Sequence, residues 1–350
     1  MSTNIVFSKS GGKNDPLYGK FEHPIKALIQ NESNALEKKK TALDVLFNIE
    51  KSNRYAETII DQTDFDTFQS ASEGASAERD TYQIGHKKTI EHIAFMKEFV
   101  ITKEMADDAK ATGMGTNMRA KPKGFVRAYY KTRVKLGAWA LANGTQTSGT
   151  FNKATVDLTT GDGKALFSNA HEYANQDKFP KATYTQSNYF YGDVSSADKL
   201  ETALNKLANK MRNFKDENNE TMEYVPDVIV LPCNRPELEA RVKKVVGSER
   251  VAGSNFNDIN TQYGNWTIVI LPSWETTDDR FMLMSSEANK QLMGSMFYNR
   301  IALDVQSEID IHTRNYVWNG YCRFGCGFST WKHMLLAVGS TTAVTGATAI

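Results

Sequence analysis

The sequence predicts an α+β chain built around a long, polar β-ribbon, and three observations carry that prediction. From Tyr55 to Val100, β-favouring Thr, Ile, Phe and Tyr flank a turn-rich tip at Ser70–Ser76. A helical stripe of Phe125, Tyr129, Thr132, Leu136 and Trp139 or Ala140 follows. Two continuous apolar runs, Val228–Leu231 and Trp266–Leu271, are each ended by proline within an α/β stretch.

Taken in order, residues 1–53 form a leading arm. It is irregular to Lys20, with Gly11-Gly12 and Pro16, and then carries a helix over about Asn34–Glu50 from the spacing of Leu36, Leu43, Leu46 and Phe47. Residues 54–101 are the ribbon, whose arms extend ~40–50 Å at about 3.3 Å per residue. Neither arm has a clean apolar face, and a two-stranded hairpin is marginal in water. The expected support is another copy of the chain. Residues 102–192 hold a short helix capped by Thr102, a long helix starting near Pro122 and stopped at Asn143-Gly144, and a loop-and-strand region. Residues 193–288 read as a compact α/β unit: Leu200, Leu204, Leu207, Met211 and Phe214 stripe one helix, and a second runs from Pro236 to Gly247. Residues 289–338 are mostly strand, and 339–350 form a small, polar tail expected to fray.

Composition excludes several classes. Of 350 residues, 40% are hydrophobic and 24% charged, as in a soluble globular protein. Met1–Ser10 has no apolar core of a signal peptide, and Met334–Val338 is too short to span a bilayer. Three cysteines, Cys233, Cys322 and Cys326, make no disulfide framework, which fits a reducing cytoplasm.

The net charge of +1 hides segregation. Between Ala109 and Val156 there are nine cations and no acid, which leaves the rest of the chain with 33 bases against 41 acids. Seven of the cations, Arg119, Lys121, Lys123, Arg127, Lys131, Arg133 and Lys135, form a basic patch, in which Arg127, Lys131 and Lys135 repeat every four residues along a second face of the long helix. From Glu57 to Asp80 the ribbon has seven acids and one base.

No catalytic constellation is present. There is no G-x-G-x-x-G, no P-loop and no H-E-x-x-H. His171-Glu172 lacks a second histidine, so no zinc site is expected. Cys322 and Cys326 read as buried free thiols. His86 and His92 read as solvated ribbon residues, and Asp278-Asp279 as a hairpin turn. No catalytic, cofactor or metal residue is assigned.

The element order of arm, ribbon, short helix, long helix, strands, α/β unit and returning strands resembles the tailed-bacteriophage major capsid proteins of the Hong Kong 97-type fold. The stretch Asp162–His171 (D-G-K-A-L-F-S-N-A-H) is similar to one in Mu-type major head subunits, as is Pro226–Pro232 followed by a helix. The resemblance covers about 35–338. It implies that the ribbon is the extended loop (E-loop), the long helix the spine of a peripheral domain, and 193–288 an axial domain. It implies a structural protein of a phage head, assembled in the bacterial cytoplasm. Its copies would form hexamers and pentamers of an icosahedral shell around double-stranded DNA. Separate scaffold and portal proteins, decoration proteins and no membrane complete the implied partners.

Two surfaces are then expected to act in assembly. The ribbon face comprises Asp61, Asp64, Phe65, Asp66, Phe68, Tyr82, Ile84, Ile90, Ile93 and Phe95. The basic patch meets either a neighbour's acidic ribbon or packaged DNA, with a merely solvated helix face as the plain alternative. Some relatives crosslink by a Lys–Asn bond, but nothing selects among Lys87, Lys88, Asn315 and Asn319. An encapsulin-like compartment shell, and a cytoplasmic α/β enzyme or binding protein using 193–288, are the competing readings.

Overall fold

The computed structural model describes residues 5–62, 70, 72–74, 76, 84–174, 185–247, 249 and 260–350. Strand β1 (Val6–Ser10) opens the chain and pairs in parallel at a sheet edge. Asp15 then accepts the backbone N–H groups of Leu17 and Tyr18, which starts helix α1 (Gly19–Glu37). Its buried stripe is Phe21, Ile25, Ile29 and Ser33. The expected helix over 34–50 is therefore displaced. Asp44 accepts from both the Thr41 backbone and hydroxyl, so a separate short helix α2 (Ala42–Leu46) begins there. Strand β2 (Asn48–Lys51) follows.

Strands β3 (Ala56–Gln62) and β4 (Ile84–Glu91) pair antiparallel as the ribbon, with Ala56 opposite Glu91. The return arm does not continue to Val100. It breaks at His92, and β5 (Ile93–Ile101) leaves the ribbon for the five-stranded sheet. Thr102 caps α3 (Lys103–Thr112), accepting from the Met105 N–H. The spine helix α4 (Thr116–Ala142) starts six residues before Pro122 and stops at Asn143 as expected.

A hairpin of β6 (Ser148–Phe151) and β7 (Ala154–Asp157) turns through Asn152 and Lys153, both at positive φ. Short strands β8 (His171–Glu172) and β9 (Thr185–Gln186) pair with each other, and β10 (Tyr189–Gly192) leads into the α/β unit. That unit contains α5 (Ala197–Arg212), β11 (Val228–Pro232), α6 (Pro236–Val246), β12 (Thr267–Leu271), β13 (Asp279–Met284) and α7 (Ser286–Gln291). Then come β14 (Ser295–Ile309), β15 (Tyr316–Phe328), β16 (Met334–Gly339) and β17 (Thr348–Ala349).

Two sheets organise the molecule. The five-stranded sheet has the order β1-β14-β15-β5, with β2 also paired to β14. Helices α1, α2 and α4 pack on it over a core that includes Ile25, Ile29, Leu46, Leu136, Phe297, Trp318 and Phe324. The six-stranded sheet runs β12-β11-β13-β16-β10-β17. Its helices α5 and α6 cover a second core of Leu200, Leu204, Leu207, Leu238, Val242, Phe281 and Leu335.

Boundaries at 193 and 288 cut across this second sheet, because β10, β16 and β17 come from outside them. The tail expected to fray contributes β17, and the Ile350 N–H donates to the Tyr191 carbonyl. Among the described residues, no helix is long and apolar enough to cross a membrane, and no cluster of three potential metal ligands exists.

Candidate functional site: the ribbon root and the cationic face of the spine helix

The root of the ribbon is fastened to its own subunit. Ile59 and Ile90, from the two arms, are buried against Met296 and Tyr298 of β14. Around this small cluster sit two buried lysines. Lys88, 5% exposed, donates to Asp157 at 2.6 Å and to Thr159 at 2.7 Å. Lys332, 4% exposed, lies 3.4 Å from Asp61 of β3 and 3.3 Å from Glu217. Burial alone pushes the Lys332 ammonium down, but the Asp61 and Glu217 carboxylates outweigh it and hold the pKa above the ordinary lysine value. His86 meets the Glu172 carbonyl at 3.0 Å.

At the break between β4 and β5, His92 is buried and contacts the Ser52 hydroxyl at 2.9 Å, while Ser52 also bonds Glu57. Burial, then Arg300 and Arg323, lower the His92 pKa. Neither ribbon histidine is the solvated group the sequence suggested: His86 bridges to β8, and His92 fixes the point where the ribbon departs.

These contacts redistribute the expected ribbon face. Asp61 points inward to Lys332 rather than to a neighbour. Ile90 is a core residue at 3% exposure. Ile93 and Phe95 belong to β5, where both pack on the main core and Phe95 stacks on Phe324 at 4.7 Å. The physical reason is pairing: one residue after the ribbon ends, the strand registers with β15 and turns these side chains to that sheet. Ile84 sits opposite Gln62. Asp64, Phe65, Asp66, Phe68 and Tyr82 lie outside the described residues.

The basic patch also divides. Lys121 donates to the Val100 carbonyl at 2.7 Å and so caps the end of β5. Arg133 is buried at 7% exposure, its guanidinium packed among Tyr129, Tyr130 and Phe297. Arg133 is thus withdrawn from the surface, and the half-buried Lys121 has its amine turned to β5. The remaining five cations, Arg119, Lys123, Arg127, Lys131 and Lys135, recur every four residues along α4. Lys123 is half-buried and the other four are exposed. Arg127 pairs with Glu32 at 2.6 Å. Among the described residues, Arg119, Lys123, Lys131 and Lys135 make no ion pair. Like charges at this spacing repel by a few tenths of a kcal/mol per pair, so apart from the Arg127–Glu32 pair the row does not stabilise the subunit's own helix.

The segment Asp162–His171 makes a structural knot. His171 is fully buried, 2.7 Å from Asp162 and 3.1 Å from the Asn188 side-chain oxygen, and it stacks on Trp331 at 4.6 Å. Asn188 donates to the carbonyls of Leu166, Trp331 and Met334, which aims its oxygen at the ring. Burial alone raises the Asp162 pKa, but hydrogen bonds and charge from His171, with Thr160 and Lys164, bring it down to about 2. Asp278 and Asp279 are held by arginines, Asp278 by Arg280 and Asp279 by Arg235 and Arg241. Burial pushes the thiols of Cys322 and Cys326 up to about 12, which makes them unreactive.

The sequence reading passed over Lys332 and Glu217, and it considered Lys88 only as a crosslink candidate, not as a buried partner of Asp157. One signal was available for Lys332: it interrupts the run Trp331–Val338, otherwise apolar but for His333. A charge in a buried apolar run requires a partner, and here it falls in the turn that leads into β16.

A profile of the phage capsid protein family matches residues 95–337. No curated protein matches the sequence. The structure is similar to the capsid protein of a native GTA particle, with TM-score 0.52, 12% identity, and 86% of this chain and 90% of that one covered. It is also similar to the capsid protein of Cyanophage P-SCSP1u, with TM-score 0.50, 12% identity and coverages of 87% and 89%. The capsid protein of Myoviridae Phage XM1 aligns at TM-score 0.46 and 13% identity, over 83% of this chain and 90% of that one. The ribbon, spine helix and paired sheets are those of the Hong Kong 97-type fold, and the chain belongs to the phage capsid protein family as a structural, non-enzymatic major capsid protein.

Proposed function

We propose that copies of this capsid protein form hexamers and pentamers of an icosahedral head around double-stranded DNA. In this reading the distal ribbon of each subunit docks on the α4 cation row of a neighbour. The observation that carries it is the sorting of charge. The ribbon's inner acid, Asp61, is neutralised within the subunit by Lys332. Asp64, Asp66, Glu73, Glu78 and Asp80 crowd the distal segment against one base, Arg79. The α4 row, meanwhile, has four cations without an ion pair among the described residues. Opposed fields of this kind steer encounter and fix register. Apolar Phe65, Phe68 and Tyr82 supply contact area at about 25 cal/mol per Å² buried.

The Asp162–His171 stretch and the Pro226–Pro232 run support placement near the Mu-type head subunits. Scaffold and portal proteins act as separate partners, and assembly takes place in the host bacterium's cytoplasm.

Charge reversal tests the docking. Asp64→Lys and Lys131→Glu are each expected to impair shell formation, and the double variant to recover it, as read by sedimentation and negative-stain microscopy. A double variant that assembles no better than either single one removes this contact. A second reading, that the row contacts DNA, rests on the absence of any acid from α4. It predicts that Lys131→Glu shells assemble normally but hold DNA less tightly, with a shallower salt dependence.

A further inference from the structure

Three lysines and arginines are buried among the described residues: Lys88, Lys332 and Arg133. The two lysines each touch a carboxylate. Arg133, 7% exposed, has no hydrogen bond and no ion pair among the described residues, and its Nε is sealed off without a partner. Ring faces surround it instead, with Phe297 at 5.5 Å, Tyr129 at 5.7 Å and Tyr130 at 5.9 Å from the guanidinium carbon. Such faces attract the charge but offer no acceptor to the N–H groups in the guanidinium plane.

Arg133 lines a groove of about 510 Å³ formed by the end of α1, the start of α2 and one side of α4. Nε is its one sealed nitrogen, so the terminal Nη1 and Nη2 are the atoms that reach this space. The walls include Leu36, Leu43, Ile49 and Val134, and the exposed Lys38 and Lys39 stand at the rim. Two acids also line the groove, and both are engaged within the subunit. Glu37 accepts from the Tyr130 hydroxyl at 2.9 Å, and Asp44 accepts from the Thr41 backbone and hydroxyl at 2.7 and 2.8 Å. Three cations against two acids give the lining a net charge of +1.

These features select a class of ligand. The fork of terminal nitrogens matches the edge of a carboxylate or a phosphate. A net charge of +1 is balanced by a monoanion, whereas a phosphate dianion would leave the site negative beside Glu37 and Asp44. The walls call for a hydrocarbon body, and small-molecule sites share this make-up of apolar lining with a few placed polar groups. We propose that the groove binds an amphipathic carboxylate, an alkyl or aryl acid. Its carboxylate pairs with Arg133, and its hydrocarbon part lies on Leu36, Leu43, Ile49 and Val134. Lys38 and Lys39 draw the anion in from solvent.

A bound acid touches α1, α2 and α4 together, so it fastens the leading arm to the spine helix. It also gives the one unpaired buried cation the carboxylate that Lys88 and Lys332 find within the chain. The site lies within a single subunit and does not depend on how subunits dock.

Calorimetric titration of the full-length, unassembled subunit with sodium octanoate tests it. Saturable binding of one octanoate per subunit is expected. Octanol, which lacks the charge, and inorganic phosphate, which lacks the hydrocarbon, should each bind at least about tenfold more weakly. Arg133→Met keeps a side chain of similar reach among the rings and should weaken octanoate by about tenfold or more. Because that position is buried, the exposed pair Lys38→Ala with Lys39→Ala provides a second check. This double variant should fold as wild type and bind octanoate about threefold more weakly, and the difference should shrink at 1 M salt. Absence of saturable octanoate binding overturns the proposal, as does wild-type affinity in both variants. Equal binding of octanol and octanoate overturns it too, since the groove is then an apolar surface without an anion site. Tighter binding of inorganic phosphate than of octanoate overturns the carboxylate assignment.

Discussion

The ribbon root and the outward row of α4 use the same side chain in opposite ways. At the root, Lys88 and Lys332 are almost fully buried and each touches a carboxylate. On α4, Lys131 and Lys135 face solvent, and no described carboxylate approaches them. A buried ammonium without a partner costs several kcal/mol, so the root lysines hold parts of one subunit together. Exposed cations in a row repel one another weakly and stabilise nothing nearby. The difference separates charge that builds the subunit from charge that is available to something outside it.

The comparison is tested most strongly at Lys332. Replacing it with Met leaves Asp61 and Glu217 facing each other in a closed site. A loss of about 3–5 kcal/mol is expected on removal of one partner from a buried ionic cluster, measured by urea denaturation of the unassembled subunit. A loss under about 1 kcal/mol would mean that these carboxylates reach water, and the contrast with α4 would disappear.

Acid provides the next test, since charges turned inward govern stability at low pH and those on α4 do not. The Asp162 carboxyl titrates at about 2 in the folded chain, below its ordinary value. Its contribution is therefore complete above about pH 4 and lost as the pH falls towards 2, an effect of about 2 kcal/mol. Burial keeps His333 neutral and pushes its pKa down to about 3. That contribution is complete above about pH 6.5 and likewise lost on acidification, through about pH 3. Asp162→Asn is expected to be less stable at pH 7 and to lose less than wild type between pH 4 and 2. Parallel curves in that window would show that Asp162 is not the group responsible.

How far the sequence exposed this arrangement depended on whether the cause was local. The stripe on α5 and the apolar runs of β11 and β12 were legible, because spacing and flanking prolines determine them. Helix α1 was not, since its stripe of Phe21, Ile25 and Ile29 is interleaved with Glu22, His23, Pro24 and Lys26. The break at His92 was also invisible. Strands β4 and β5 alternate alike, and the choice of partner for each rests on residues 295–328, far along the chain. Counting acids from Glu57 to Asp80 treated Asp61 as free, because its lysine is distant in sequence. The basic patch itself was legible from the run of cations without an acid, whereas the loss of Arg133 from it was not, because the rings that bury it include Phe297.

Lys88 lies between the two extremes. Its own side chain is buried, but that of Asp157 is 59% exposed. Lys88→Met therefore leaves behind a carboxylate that water can solvate. A loss of about 1–2 kcal/mol is expected, well below that for Lys332, because a charge-assisted hydrogen bond is removed without stranding a charge. Equal losses at Lys88 and Lys332 would show that the partner's access to water does not set the difference.

The smallest effect on the subunit is expected on α4. Reversing Lys131 and Lys135 to Glu removes like-charge neighbours and strands no buried group, so subunit stability should stay within about 0.5 kcal/mol of wild type. The informative result lies in the pairing of this measurement with particle formation. If the row acts between molecules, the double variant folds as wild type yet assembles or retains DNA poorly. Raising ionic strength from 0.1 to 1 M should then weaken wild-type association in the same direction, as the screening length falls from about 10 to about 3 Å. A double variant that is unaltered in stability, assembly and DNA retention would make the row a solvated helix face.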